Sequence, residues 1–132
     1  MDREFLSLCH EFIESYNRFK HNAKNSKTDF EKDIVIQRFQ FTFSLFLEIL
    51  KYLLKKYKVN CDYPSACIKK AANFGLIPTE KIYLDMLDDR YNIINLKSTV
   101  SEVLYKRIKI NYVIALGTFL DKIETNYITK KS

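Results

Sequence analysis

Two glycines and two prolines in 132 residues leave this chain very few places to turn. A sandwich or barrel of this length needs a turn signal every eight to twelve residues or so. The chain is therefore predicted to be a few long rods, and its apolar spacing says the rods are helices. Phe5, Leu8, Cys9, Phe12, Ile13, Tyr16 and Phe19 repeat at three and four residues behind a capping Asp2, predicting a first helix to about Lys24. The polar stretch HNAKNSK at 21–27 breaks it, and TDFE at 28–31 has the spacing of a capping box. That box opens a second helix to about Lys58, apolar around much of its circumference and so packed on several sides. Pro64 suits the first position of a third helix. Gly75 supplies its end and Pro78 forbids its continuation. A fourth helix runs from about Thr79 past Arg90. Thr99 and Glu102 repeat the capping-box spacing and open a fifth, with the stripe Val100, Val103, Leu104, Ile108, Tyr112, Ala115, Leu116, Phe119, Ile123 and Tyr127. The expected fold is all-α: one antiparallel up-and-down bundle of about five helices over residues 1–132.

Composition narrows the function classes. Ten phenylalanines and nine tyrosines predict an aromatic core. The formal charge of +6 is spread in short lysine groups along the helices, the pattern of solvated outer faces rather than one basic strip. Residues 41–54, the longest apolar run, are interrupted by Thr42, Ser44, Glu48 and Lys51, too short and too charged to span a bilayer. No leader-like apolar segment follows Met1. Cys9, Cys61 and Cys67 are odd in number and irregular in spacing, and are expected as reduced, partly buried thiols of a cytoplasmic protein. His10 and His21 have no metal-site spacing, and neither a cofactor nor a metal is expected. No Gly-rich phosphate loop or paired-carboxylate motif occurs, so the chain does not itself carry a nucleotidyltransferase centre.

Three segments carry a family resemblance: IQRFQFTFSLFLEILKYLL (36–54), YPSACIKKAANFGLI (63–77) and LDMLDDRYNIIN (84–95). Together they resemble the nucleotidyltransferase substrate-binding family, the HEPN-type helical partners of minimal nucleotidyltransferases. RFQFTF at 38–43, which begins with Arg38, follows the family's second-helix stretch. There the family next tends to place an acid, where this chain has Ser44. Pro64, Ile68, Ala71, Gly75, Leu76 and Ile77 follow its third helix, and Met86, Leu87, Asp89 and Arg90 its Met-Leu-x-Asp-Arg. The family's acting residues read Arg, four residues, His, one residue, Tyr. The same register here gives Arg90, Asn95 and Lys97, with Tyr91 in place of the usual Asn.

The resemblance implies a homodimer, docked to a separately encoded minimal nucleotidyltransferase in a pair of toxin–antitoxin kind. In active members it also implies metal-independent RNA cleavage at a dimer cleft. An amide neither takes up nor releases a proton near neutral pH, so Asn95 cannot replace a general base worth about two to four orders of magnitude. Lys97 removes the hydroxyl that a partner would modify, while Tyr91 offers another or simply packs at the helix surface. Arg90 can fork onto a phosphate, or else pair internally with Asp85, Asp88 or Asp89. The favoured reading is a non-catalytic substrate- or partner-binding subunit acting through Arg90, Asp89, Tyr91, Asn95 and Arg38, with RNA or a nucleotide as a further ligand. Its rivals are a HEPN ribonuclease and a free-standing helical adaptor.

Overall fold

The computed structural model describes residues 2–95 and 100–128, and among these the fold is an all-α bundle. Helix α1 (Arg3–Asn25) starts where Asp2 accepts the backbone N–H of Glu4, and α2 (Asp29–Lys56) starts at a complete capping box between Thr28 and Glu31. These two pack along each other as an antiparallel hairpin. Helix α3 (Pro64–Asn73) lies against α2, with Pro64 at its start. Helix α4 (Lys81–Asn95) follows, its first turn near the Thr79 hydroxyl. The last rod comprises α5 (Glu102–Lys106), a π-helical stretch Arg107–Tyr112, α6 (Val113–Ile123) and a second π-helical stretch Glu124–Ile128.

Three expectations are corrected. The last rod is capped by Ser101, whose hydroxyl accepts the Leu104 N–H at 3.1 Å; Thr99 lies outside the described residues. The rod is also not uniformly α-helical. Around the π-helical stretch at Arg107–Tyr112 its buried residues Leu104, Ile108, Tyr112 and Leu116 recur every four residues, with Tyr105 beside the first, before Phe119, Leu120 and Ile123 resume the α-helical spacing. In an α-helix the four-residue spacing drifts about 40° per step and would carry the stripe around the rod. The wider π turn at Arg107–Tyr112 absorbs the drift and keeps the stripe on the core. Val103, expected in the stripe, is 70% exposed.

The third correction concerns sulfur. Cys61 and Cys67 are joined in a disulfide, and only Cys9 is a free, buried thiol. The chain reverses between them at Pro64 and brings their Cα atoms to 5.2 Å, inside the range a disulfide bridges. Irregular spacing in the sequence concealed a close approach made by the turn.

Two helix ends show what glycine does and does not decide here. After α3, Leu76 N–H reaches Ala71 O and Gly75 N–H reaches Ala72 O, with Gly75 at φ +71°. That is a Schellman ending with glycine in the left-handed position. After α2 the same pair of bonds forms from Val59 to Leu54 and from Lys58 to Lys55, but Lys58 occupies the left-handed position at φ 60°. The chain places one of its few glycines at one end and accepts strain at the other.

The core is aromatic as expected. Phe12, Phe39, Phe43, Phe46, Tyr83, Tyr112 and Phe119 are buried and meet in stacked and edge-on pairs, such as Phe46 against Tyr83 at 4.8 Å. Between α1 and α2 lies one polar chain: Thr42 Oγ1 donates to Arg38 O and so receives the proton of Ser15 Oγ at 2.7 Å. A buried hydroxyl pair satisfied in this way fixes helix register with no polar group left unpaired.

Candidate functional site

Helix α4 lies between α2 and the last rod, and two consecutive residues divide its attachments. Asp89 turns to the last rod. Its carboxylate takes two parallel bonds from Arg107, Nε to Oδ2 and Nη2 to Oδ1, both at 2.8 Å, and a third from the Tyr112 hydroxyl. The Asp89 hydrogen bond holds the Arg107 guanidinium above its ordinary pKa. Burial, then the Asp89 carboxylate, hold the Tyr112 phenol above its own. Asp89 is 7% exposed, so its carboxylate is committed inside the bundle.

Arg90 turns the other way, toward α2. Its Nη1 donates to Ser44 Oγ at 2.9 Å, and its guanidinium carbon lies 5.5 Å from the centre of the Phe43 ring. Of the internal acids weighed from the sequence, Asp89 pairs with Arg107, Asp85 stands 3.5 Å from Lys81, and Asp88 is exposed. Among the described residues Arg90 therefore has a neutral partner and no carboxylate. Burial pulls its guanidinium below the ordinary pKa without neutralising it.

This half-buried cation opens into a shallow hollow of about 390 Å³ lined by Gln37, Gln40, Phe41, Ser44, Arg90 and Ile94. Phe41 is 50% exposed and Ile94 63%, giving the charge an apolar rim. Two glutamine amides add donors and acceptors along one wall. The arrangement can take an anion from solvent or from another chain: a fork of N–H donors, desolvated on one side, with no internal acid to displace.

The other sequence candidates fall around this centre unevenly. Tyr91 is 65% exposed beside Arg90, and its carbonyl accepts the Asn95 side-chain amide at 2.8 Å. Asn95 thus folds back on its own helix. Arg38 lies on α2 but does not line the hollow; its carbonyl belongs to the buried Thr42 chain. Lys97 is outside the described residues. Gln37 and Gln40 were not singled out from sequence; their spacing of seven and four residues from Ser44 on one helix face is the signal that could have found them, whereas Phe43, the neighbour of Ser44 in the chain, has no such spacing. Arg107 and Tyr112, 18 and 23 residues beyond Asp89, had no such signal.

No helix among the described residues is long and apolar enough to cross a membrane. Within them, no group of three or more His, Cys, Asp or Glu side chains could hold a metal ion.

The fold and site define an all-α helical bundle presenting a half-buried arginine in an open hollow. The chain belongs to the family described as nucleotidyltransferase substrate binding protein like, which it matches over residues 5–125. It is similar to a protein of known crystal structure from Thermus thermophilus, at 26% identity and a TM-score of 0.72, over 85% of this chain and 98% of that one. No curated protein matches it.

Proposed function

We propose that this chain is a non-catalytic subunit that docks a separate minimal nucleotidyltransferase and helps present its substrate, as one half of a HEPN–nucleotidyltransferase pair of toxin–antitoxin kind. The observation that carries the reading is Arg90, half-buried and charged, with Ser44 as its only polar partner among the described residues. Its free N–H groups suit an anionic group brought by the partner or its substrate, and Phe41, Tyr91 and Ile94 supply apolar contact around it. Asp89 acts as an anchor that holds α4 so that Arg90 faces α2. The proposal includes a homodimer with its two-fold axis near α4, which light scattering tests directly: a 15.7 kDa species at micromolar concentration would rule it out. It also excludes RNA cleavage, because Asn95 supplies no proton transfer and is hydrogen-bonded to its own helix.

Co-purification with a short nucleotidyltransferase encoded beside this gene is the central test. Arg90→Glu should abolish the complex while leaving the helical circular dichroism unchanged. Ser44→Glu should weaken it as well, by giving Arg90 an internal carboxylate. If both variants bind as the parent does, the docking surface lies elsewhere. RNA turnover above that of an Arg90→Ala control would favour the ribonuclease reading instead.

A further inference from the structure

The disulfide lies away from the Arg90 hollow and plays no part in the function proposed above. Cys61 lies in the loop that carries the chain from α2 to α3, and the disulfide ties it to Cys67 in the first turn of α3. Both residues are only 5% exposed, yet their surroundings differ. Cys61 lines a hollow of about 530 Å³, together with Leu8, Glu48, Lys51, Tyr52 and Lys55 among others. Cys67 is not on that lining and sits at the fourth residue of α3. Tyr63, the cap residue of α3, makes no side-chain capping bond, so the first-turn N–H groups of Ser65 and Ala66 have no side-chain cap. The Cys67 side chain reaches back from this first turn toward Cys61, its Sγ 3.8 Å from Cys61 O, with the positive end of the helix dipole beside it.

Thiol–disulfide exchange has two requirements: a sulfur that an incoming thiolate can reach, and a leaving sulfur stabilised as the anion. Here the two fall on different cysteines. We propose that Cys61–Cys67 is a thiol-exchange site, opened by a small thiolate that enters the hollow and attacks Cys61. In the first step the incoming sulfur bonds to Cys61 Sγ, the Sγ–Sγ bond breaks, and its electron pair leaves on Cys67 as a thiolate at the start of α3. A second equivalent of thiol then attacks the mixed disulfide, releasing the small-molecule disulfide and leaving both cysteines reduced. Two thiols are oxidised and one protein disulfide is reduced, so electrons balance. Lys51 and Lys55 at the hollow are matched by Glu48 and Asp62, and the site therefore selects by access rather than by net charge.

The bond is not what seats α3. Ile68, Ala71, Leu76 and Ile77 are buried in the core. Lys70 Nζ donates to Asn60 O at 2.8 Å, Lys122 Nζ to Gly75 O, and Tyr57 stacks on Phe74 at 4.8 Å. Opening the disulfide frees the loop and leaves the helix docked. Cys9 takes no part: it is fully buried, and burial pushes its thiol up to about 11.

The test uses the folded full-length chain, reduced and oxidised glutathione, and peptide mass spectrometry after alkylation. With reduced glutathione, the first adduct should appear on Cys61 and the freed thiol on Cys67, with the circular dichroism unchanged. Cys67→Ser should be glutathionylated at Cys61 by oxidised glutathione, and Cys61→Ser should react at Cys67 at least roughly tenfold more slowly. The proposal is overturned if the purified protein carries three free thiols, if the bond resists millimolar thiol until the chain is denatured, or if the adduct forms first on Cys67.

Discussion

Gly117 packs directly against Tyr16, and replacing it with alanine sets two opposed effects against each other. Alanine in a helix interior is favoured over glycine by about 1 kcal/mol. A Cβ built on Gly117 would, however, lie 2.4 Å from the Tyr16 hydroxyl oxygen and 3.1 Å from the ring carbon that bears it. Tyr16 is 5% exposed, and its hydroxyl donates to Val113 O at 2.7 Å. The ring must therefore move, losing that bond at about 1–3 kcal/mol and straining a filled core by a further 1–3 kcal/mol or so. The net effect of Gly117→Ala is a loss of about 1–5 kcal/mol. For a domain of this size that lowers Tm by about 4–20 °C, read by thermal circular dichroism. Tyr16→Phe removes the clashing oxygen and leaves a 3.1 Å contact that a small shift relieves. The double variant should then be more stable than the two single losses added, with a coupling of about 1 kcal/mol or more. A Gly117→Ala protein that melts at or above the parent temperature would refute the packing argument.

Lys58→Gly should stabilise the fold by about 1 kcal/mol in urea melts, since it removes a side chain from the left-handed position at φ 60°. Asp89→Ala should cost about 2 kcal/mol or more in the same assay, because it strands the buried Tyr112 hydroxyl; Tyr112→Phe should cost less. Burial pushes the Tyr83 phenol from 10.0 up to about 12. Its raised pKa means the folded state holds the proton more tightly. Stability from this group is therefore complete below pH 10 and lost between about pH 10 and 12. Denaturant midpoints across that window check it, and the Tyr83→Phe variant should lose less than the parent.

How much of this was legible in the sequence depended on whether the signal was local. Asp2, the Thr28–Glu31 box, Pro64 and Gly75 announce helix ends through chemistry within four residues, and each lies where expected. The ending at Lys58 was invisible because lysine gives no sign of left-handed backbone. The π stretch was hidden for a related reason: a four-residue repeat and an α-helical stripe look alike until the repeat has run several turns. At the site, Arg90 was identified but its partner was not. The candidate acids were its neighbours in sequence, whereas the residue it meets, Ser44, lies on a different helix. Consecutive residues on a helix point about 100° apart, so Asp89 could not serve Arg90. The disulfide depends on a turn whose closeness no spacing rule encodes.

That divergence of Asp89 and Arg90 acts as a two-point mount. One residue clamps α4 to Arg107 and the next reaches across to Ser44 on α2. A roll of α4 that withdrew Arg90 would also pull Asp89 out of its fork. The guanidinium is thus held in place, and under the proposed function binding an anion there would lose little entropy in ordering it. The same mount makes α4 a lever: whatever draws on Arg90 in the hollow loads the Asp89–Arg107 fork on the opposite side of the helix.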